Sequence, residues 1–291
     1  MYTLVTACKN REEHLTENLH HWVEIPKISE IIIVDWSNNR PLYDLEKVDR
    51  RIKVLRVENE PKWILSYAYN FGISHASNSN ILKIDADCRP DNEITEFIPG
   101  TRHFFAGFWK TGQLVDKASI NGQCIFTKKQ FDDVNGYSEL IRTYGRDDED
   151  LYDRFILHKN NRIDIPPEYF NFIKHDDFLR TKEQFKVSID SDQREYIIST
   201  PIYNEMRNLY LGRNLLWGQT YKKCIFIEKS SNDTKYYIRD KNTEITIPDE
   251  INKSAKLFSL RYIASIKLQK SMSETAGLSE DSCWNILSKI N

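Results

Sequence analysis

The sequence is poor in the residues and segments that mark fibrous, low-complexity and membrane-spanning proteins. Its 291 residues include only 10 Gly and 9 Pro, which excludes collagen-like and low-complexity architectures. No apolar run approaches the ~18–20 residues that a bilayer-spanning helix needs. Neither sign of charge dominates, because 41 Lys and Arg oppose 43 Asp and Glu. The net charge of −2 disfavours a broad nucleic-acid-binding surface, so we expect no nucleic-acid partner.

Cysteines are few and lack disulfide or metal-ligand spacing. The five are widely separated and include no Cys-x-x-Cys pair: Cys8, Cys88, Cys124, Cys224 and Cys283. An odd number without paired spacing argues against a disulfide framework and a zinc site, and predicts free thiols in a reducing compartment. The N-terminal residues lead directly into a strand-like segment without a signal-peptide pattern. We therefore expect a cytoplasmic protein.

Strand and helix patterns alternate through the first half of the chain. Strands are predicted over residues 2–7, 30–35, 52–57 and 80–84, and helices over residues 11–23 and 64–76. The run Ile31-Ile32-Ile33-Val34 is apolar on both faces, as in an interior parallel strand. These spacings predict an α/β fold with a mostly parallel sheet flanked by helices.

The pattern changes in the last third of the chain. Helices are predicted over residues 196–217 and 255–272, and a β-hairpin over residues 221–228 and 235–238. The polar stretch within residues 180–195 is the expected boundary. The sequence therefore predicts a main domain over residues 1–185 and an extension of helices and a hairpin over residues 186–291.

Polar residues follow the predicted parallel strands, where open α/β sheets bind their ligands. They occur at residues 7–11 and 35–37, and as Asp85-Ala86-Asp87. Two carboxylates just past a buried strand can address one divalent cation bound to phosphates, since Mg²⁺ and Mn²⁺ prefer oxygen ligands. The alternative is that these carboxylates are solvated loop residues.

A block of four acidic residues, 147–150, is the second chemical signal. Acids at a helix N-terminus complement the helix dipole, which accounts for one or two of them. Four in a row repel one another, and such clustering raises some of their pKa values, as suits a general base. His175 ends an apolar stretch, and a lone histidine there is more often a surface or packing residue than a ligand. Dinucleotide-binding, Walker, serine-hydrolase and zincin motifs are missing.

Taken in order, these clusters resemble the β-1,4-galactosyltransferases. Residues 7–15 resemble the family's opening Pro-Phe-Arg-Asn-Arg-(Gln/Glu)-Glu-His-Leu, and residues 70–72 resemble its Asn-x-Gly. Residues 131–155 resemble its long acceptor and catalytic motif, with Tyr144, Arg146 and Asp147 as departures. Residues 172–175 resemble its Met-Ile-Arg-His, in which Met and His bind manganese, and Phe172 replaces that Met.

The first half is also similar to inverting bacterial family 2 glycosyltransferases of the capsule and chondroitin type. Asp35-Trp36-Ser37 resembles their Val-Asp-x-x-Ser, in which the Asp contacts uracil. Both resemblances imply a GT-A fold over roughly residues 2–180. The nucleotide-sugar half then covers about residues 1–100 and the acceptor half about residues 101–185.

The resemblance implies metal-dependent transfer of a hexose from a UDP-sugar to a glycan hydroxyl with formation of a β-linkage. Galactose and N-acetylgalactosamine are the favoured sugars, the acceptor is an oligosaccharide or lipid-linked glycan of a surface polysaccharide, and the cofactor is Mn²⁺ or Mg²⁺. The implied site residues are Lys9, Arg11, Asp35, Asn70, Asp85 and Asp87 for the donor, Asp87 and His175 for the metal, Asp148 as general base, and Tyr144, Gly145 and Asp147 for the acceptor.

Alternatives remain open at this level. A non-catalytic sugar-nucleotide or glycan-binding module could use the same fold, because folds do not fix function. A nucleotidyltransferase shares the paired carboxylates but does not explain the acidic block. The segment 253–270 holds five basic residues and no acid. It is predicted to be an ordinary packed helix or, alternatively, a peripheral contact with anionic lipid.

Overall fold

The computed structural model describes residues 1–115, 117–173, 201–231, 234–276 and 279. Its strands are β1 (Tyr2–Cys8), β2 (Ile28–Trp36), β3 (Ile52–Glu58), β4 (Asn80–Lys83), β5 (Cys88–Pro90), β6 (His103–Gly107), β7 (Cys124–Thr127), β8 (Asn161–Ile165), β9 (Phe170–Phe172), β10 (Phe226–Ser231) and β11 (Thr234–Arg239). Its α-helices are α1 (Glu12–Trp22), α2 (Leu65–Ser74), α3 (Trp109–Gln113), α4 (Lys128–Asp133), α5 (Asp147–Leu157), α6 (Pro201–Asn214) and α7 (Asp249–Ala276).

A nine-stranded sheet forms the centre of the fold, in the order β10-β11-β3-β2-β1-β4-β7-β6-β8. Strands β11, β3, β2, β1 and β4 are parallel neighbours, and β6 pairs with β8 in parallel. Strands β10 and β7 run in the opposite direction. The predicted α/β fold with a mostly parallel sheet is therefore confirmed.

Helices cover both faces of the sheet because its central strands are apolar on both sides. On β2, Ile32 and Val34 pack into the core that holds α2 and α5, whereas Ile31 and Ile33 pack into the core that holds α1. All four side chains are fully buried. Burial of one such side chain contributes about 1.5–3 kcal/mol. The two cores fix the sheet, so the strand ends that carry the polar residues are held in place.

The C-terminal hairpin belongs to the same sheet as the N-terminal strands. Strand β11 pairs with β3, placing Tyr237 beside Val57. Arg239, the last residue of β11, forms a buried ion pair with Glu60, two residues after β3, at 2.8 Å between Nε and Oε1. The predicted boundary at 185/186 lies outside the described residues, so the two-part division stays a prediction.

Helix α7 begins six residues before the predicted helix at residue 255 and packs against α6. Lys253 and Lys256 are exposed on it, together with Leu257 and Leu260. Contact of the segment 253–270 with anionic lipid stays a prediction. None of the helices in the described parts of the chain is both long and apolar enough to span a membrane.

The predicted free thiols are confirmed for the cysteines within the described ranges. Cys8, Cys88, Cys124 and Cys224 are buried and form no disulfide bond. Burial raises the pKa of the Cys8 thiol and of the Cys124 thiol to about 12, so both stay protonated at neutral pH. Cys283 lies outside the described residues.

Candidate active site

A cleft of about 540 Å³ opens where strands β1 and β4 end and helix α5 begins. The structure brings eight of the predicted site residues to its lining, from sequence positions more than a hundred residues apart. These eight are Lys9, Arg11, Asp85, Asp87, Tyr144, Gly145, Asp147 and Asp148. The parallel sheet explains the gathering, because its strands deliver their carboxyl ends to one edge.

Asp35 does not line the cleft, and its predicted contact with the donor base stays a prediction. Its side chain is fully buried at the end of β2. The Arg56 guanidinium lies 2.8 Å from Oδ1, the Asn38 side chain donates to the same oxygen at 2.6 Å, and the Leu42 amide donates to Oδ2 at 3.0 Å. Because all of these partners come from the protein, the carboxylate holds the β2–β3 region together in this structure.

Asn70 also lies beneath the cleft instead of lining it. Its side-chain nitrogen donates to the Tyr137 carbonyl and to Glu139 Oε1, both at 3.0 Å, and its oxygen accepts from the Tyr137 amide at 2.8 Å. Asn70 thus ties α2 to the segment before the acidic block. His175, the predicted metal ligand, lies outside the described residues, so its position is not tested.

A fully buried lysine, Lys83 at the end of β4, links two of the predicted carboxylates. Its ammonium lies 2.9 Å from Asp85 Oδ1 and 3.4 Å from Asp148 Oδ1, and it donates to the Gly122 carbonyl at 2.6 Å. Burial disfavours the charged ammonium, but the Asp148 and Asp85 carboxylates outweigh that effect and raise the pKa of Lys83 well above its ordinary value. The lysine is therefore a permanent cation between Asp85 and Asp148.

Three polar side chains bind the Asp85 carboxylate, and a third of the Asp85 side chain remains exposed. Besides Lys83, the Tyr69 hydroxyl donates to Oδ1 at 3.1 Å and the Gln123 amide donates to Oδ2 at 2.8 Å. Burial raises the pKa of Asp85, but the Lys83 charge and these hydrogen bonds outweigh burial and lower it. Asp85 is thus an ionised, rigidly oriented carboxylate.

Asp148, in the first turn of α5, has the environment of a general base. Burial raises its pKa to about 6, with Lys83 acting in the opposite direction. Oδ1 accepts from the Tyr137 hydroxyl at 2.8 Å. Oδ2 accepts no hydrogen bond from the described part of the chain and remains available to a ligand. A base with a pKa near 6 is deprotonated at neutral pH yet still able to take a proton.

Gly122 sits where these three charged groups converge. A Cβ atom at this position would lie 2.6 Å from Asp85 Oδ2, 3.2 Å from Lys83 Nζ and 3.3 Å from Asp148 Oδ2. Only glycine leaves room for that approach, so the residue has a steric reason to be there. The sequence reading did not single out Gly122, Lys83, Tyr69 or Gln123. Among them, only Lys83 adjoins a predicted motif, two residues before Asp85.

The motif loop, residues 143–146, carries Tyr144 and Gly145, which the sequence predicts to bind the acceptor, and leads into α5. Gly145 and Arg146 both have positive φ, at +94° and +66°. Asn208 of α6 is fully buried and donates to the carbonyls of Thr143, Tyr144 and Gly145 at 3.0, 3.2 and 2.8 Å. One side chain therefore holds three consecutive peptide groups of the loop, and it comes from the part of the chain that the sequence motifs do not cover.

Replacement of Asn208 with Ala is expected to loosen the motif loop. Three partly buried carbonyls would lose a donor, which costs about 1–3 kcal/mol of folding stability. The loop carries Tyr144, which lines the cleft and is predicted to bind the acceptor. We therefore expect the acceptor KM to rise roughly 10-fold at about 1.4 kcal/mol of lost binding, with donor KM changing less. Denaturant unfolding and initial rates at varied acceptor concentration measure both effects.

The control for this variant is Asn214→Ala at the end of the same helix. Asn214 is exposed and donates only to the Tyr210 carbonyl, at 2.8 Å. If both variants match the wild type in stability and acceptor KM, Asn208 does not hold the loop.

Lys9, which the sequence predicts to bind the donor, follows the last residue of β1 and lines the cleft. Its ammonium donates to the carbonyls of Trp36, Ser37 and Glu60 at 3.4, 3.3 and 2.8 Å. Glu60 is itself held by Arg239 of the C-terminal hairpin. The hairpin thereby supports the loop after β3 that carries one of the Lys9 acceptors.

The carboxylates at the end of β4 fit a divalent cation that also binds phosphate. Asp87 lines the cleft with one oxygen 3.6 Å from the Arg11 guanidinium. No group of three or more His, Cys, Asp or Glu side chains within the described ranges could hold a metal by itself. Mg²⁺-type sites commonly use one or two carboxylates, with substrate phosphates and water as the other ligands. Asp87 and the neighbouring Asp85 can provide the carboxylates.

Two families match the sequence. Glycosyl transferase family 2 matches residues 3–98, and the N-terminal domain of galactosyltransferase matches residues 102–176. The two matches together span the cleft from Lys9 to Asp148. No curated protein matches the chain significantly in sequence.

Several solved structures are similar in fold. A mutant of Drosophila β1,4-galactosyltransferase 7 with manganese, UDP-Gal and xylobiose has a TM-score of 0.50 at 14% identity, over 84% of this chain and 96% of that chain. Glucosyl-3-phosphoglycerate synthase from Mycobacterium tuberculosis, with Mn²⁺, UDP and glucosyl-3-phosphoglycerate, gives 0.48 at 11% identity, over 82% and 88%. A mannosyltransferase from Pyrobaculum calidifontis with GDP-Man and Mn²⁺ gives 0.45 at 14%, over 57% and 54%.

The sheet, the cleft at its carboxyl edge and the family matches define the chain as a glycosyltransferase of the GT-A fold. Its first hundred residues carry the family 2 pattern and the following segment carries the galactosyltransferase pattern. The resemblance to both groups that the motifs indicated is therefore confirmed.

Proposed function

We propose that this protein is an inverting, metal-dependent hexosyltransferase that uses a UDP-sugar donor and forms a β-linkage to a glycan hydroxyl. The observation that carries the proposal is Asp148, a buried carboxylate that lines the cleft with Asp85 and Asp87. Burial raises its pKa to about 6, and its Oδ2 accepts no hydrogen bond from the described residues. One base at a site for a leaving diphosphate is the equipment that single-displacement transfer needs.

The acceptor half of the reaction rests on Asp148. Its Oδ2 takes the proton from an acceptor hydroxyl as that oxygen attacks C1 of the donor sugar. The bond between C1 and the diphosphate oxygen breaks on the opposite face, and UDP leaves with the bonding electron pair. In-line attack turns an α-linked sugar nucleotide into a β-glycoside. Tyr144, Gly145 and Asp147 line the same cleft and would receive the acceptor sugar.

The donor half rests on Lys9, Arg11, Asp85 and Asp87. Arg11 lies beside Asp87 and can meet the diphosphate, and Asp85 can accept from ribose hydroxyls. A cation held by Asp87, with His175 as the second expected ligand, would offset the charge of the departing diphosphate. Mn²⁺ or Mg²⁺ is the proposed cofactor.

Galactose or N-acetylgalactosamine is the proposed donor sugar, and the acceptor is an oligosaccharide or lipid-linked glycan of a surface polysaccharide. The Drosophila galactosyltransferase, solved with UDP-Gal and xylobiose, supports a hexose donor and a sugar acceptor for this fold. The galactosyltransferase match over residues 102–176 includes the proposed base.

The proposal predicts metal-dependent release of UDP from one member of a UDP-sugar panel. The purified protein is incubated with Mn²⁺ and each UDP-sugar, and UDP release is measured with and without EDTA. We expect hydrolysis of UDP-galactose or UDP-N-acetylgalactosamine that EDTA abolishes, and an increased Mn²⁺ requirement in His175→Ala. If no UDP-sugar of the panel releases UDP, with or without glycan acceptors, while calorimetry still detects UDP binding, the protein is better described as a non-catalytic binding module.

A further inference from the structure

Helix α6 contributes one side chain to the cleft lining, and that side chain is Glu205. The other described residues of the lining come from positions 7–149, within the segment that the family matches cover. Glu205 enters beside the motif loop: a Cβ atom on Gly145 would lie 2.4 Å from its Cγ. The carboxylate is therefore placed at the acceptor side of the cleft by the C-terminal part of the chain.

The Glu205 carboxylate is partly buried and has no hydrogen bond or ion pair with the described residues. Burial raises its pKa, and the charge of Arg146 acts in the opposite direction. A desolvated carboxylate without donors is costly, and hydroxyl or amine donors of a ligand relieve that cost through charge-assisted hydrogen bonds. A sugar in the cleft offers such hydroxyls.

The side chains that line this part of the cleft carry both signs of charge, and Arg142 and Arg146 are the basic ones. Asp147 and Glu149 line the cleft beside Asp148. Asp147, like Asp148, has a raised pKa through burial and the nearby carboxylates. A carboxylate-bearing acceptor unit placed against Glu205 would meet a like charge that has no ion-pair partner, whereas a neutral or amine-bearing sugar would donate hydrogen bonds to it.

We propose that Glu205 binds hydroxyl groups of the acceptor sugar and makes this subsite select a neutral or amine-bearing unit over a hexuronate. The proposal rests on the proposed transferase function and adds to it the acceptor class and the residue that reads it. Helix α6 then serves the site twice, because Asn208 holds the motif loop and Glu205 contacts the sugar.

The test compares wild type, Glu205→Gln and the control Glu250→Gln, which removes an exposed carboxylate at the start of α7. Binding of methyl β-galactoside and methyl β-glucuronide is measured by saturation-transfer NMR in the presence of UDP and Mn²⁺. We expect the neutral glycoside to bind wild type and the Glu250 variant. It should bind Glu205→Gln roughly 10-fold more weakly, since hydrogen bonds to a charged group are worth more than neutral ones. The glucuronide should bind Glu205→Gln more tightly than wild type.

The proposal is overturned if each glycoside binds wild type and Glu205→Gln with equal affinity. It is also overturned if neither protein binds either glycoside. Preference of the wild type for the glucuronide overturns it as well. UDP release from the donor without acceptor is measured in parallel for the wild type and for Glu250→Gln, and it should be equal in these two proteins. Because that assay needs no acceptor, loss of the transferase function itself would be seen there, independently of Glu205.

Discussion

Replacement of Asp148 with Asn is expected to lower sugar transfer by on the order of 10²–10⁴-fold while UDP-sugar binding persists. The amide cannot take the acceptor proton, but it can still accept from the Tyr137 hydroxyl, which lies 2.8 Å from Oδ1. Transfer is measured as product formation at saturating donor and acceptor, and donor binding by calorimetry. Equal loss of binding and transfer would mark Asp148 as a structural residue of the α5 start.

The matched control is Asp153→Asn, an exposed carboxylate on the same helix. It removes the same charge from α5 without touching the cleft, so we expect activity near that of the wild type. A comparable loss in both variants would mean that helix charge, and not the position of Asp148, sets the rate.

The second large effect is expected from Lys83→Met, which removes the buried ammonium between Asp85 and Asp148. Two carboxylates would remain close together without their cation, a change that typically costs about 3–5 kcal/mol of folding stability. Burial raises the pKa of Asp148 to about 6 even with Lys83 opposing it. Loss of that opposing charge raises the pKa further, so less of the base is ionised at neutral pH and transfer falls.

The sign of this effect can be read from pH–rate profiles. The base acts when it is deprotonated, so wild-type kcat/KM should fall as pH drops below about 6. In Lys83→Met the same acidic limb should lie at higher pH, and activity should recover in part as pH rises. Both profiles are recorded at one fixed Mn²⁺ concentration and at a temperature well below the denaturation midpoint of the variant.

Lys53→Met serves as the control, because Lys53 is exposed on β3. It should leave both stability and the acidic limb in place. An unshifted limb in a folded Lys83→Met protein would show that the lysine supports the fold without setting the ionisation of the base.

Eight of the residues that the resemblance implies line the cleft, whereas Asp35 and Asn70 do not line it. Asp35 and Asn70 match family positions in sequence, yet Arg56 and the Tyr137 backbone occupy their polar atoms. Sequence spacing reports where a residue follows a strand or lies on a helix. It carries no information on which neighbour from another element satisfies the side chain.

The sequence by itself determined the parallel sheet and the chemistry at its edge. Apolar strands such as Ile31–Val34 must be covered on both faces, and their ends must then meet at one side, which gathers Lys9, Asp85 and Asp87. Tertiary structure alone decided the roles of Lys83, Asn208 and Glu205. Each acts through contacts with residues far along the chain, such as the 3.4 Å ion pair between Lys83 and Asp148, and no local periodicity encodes such pairings.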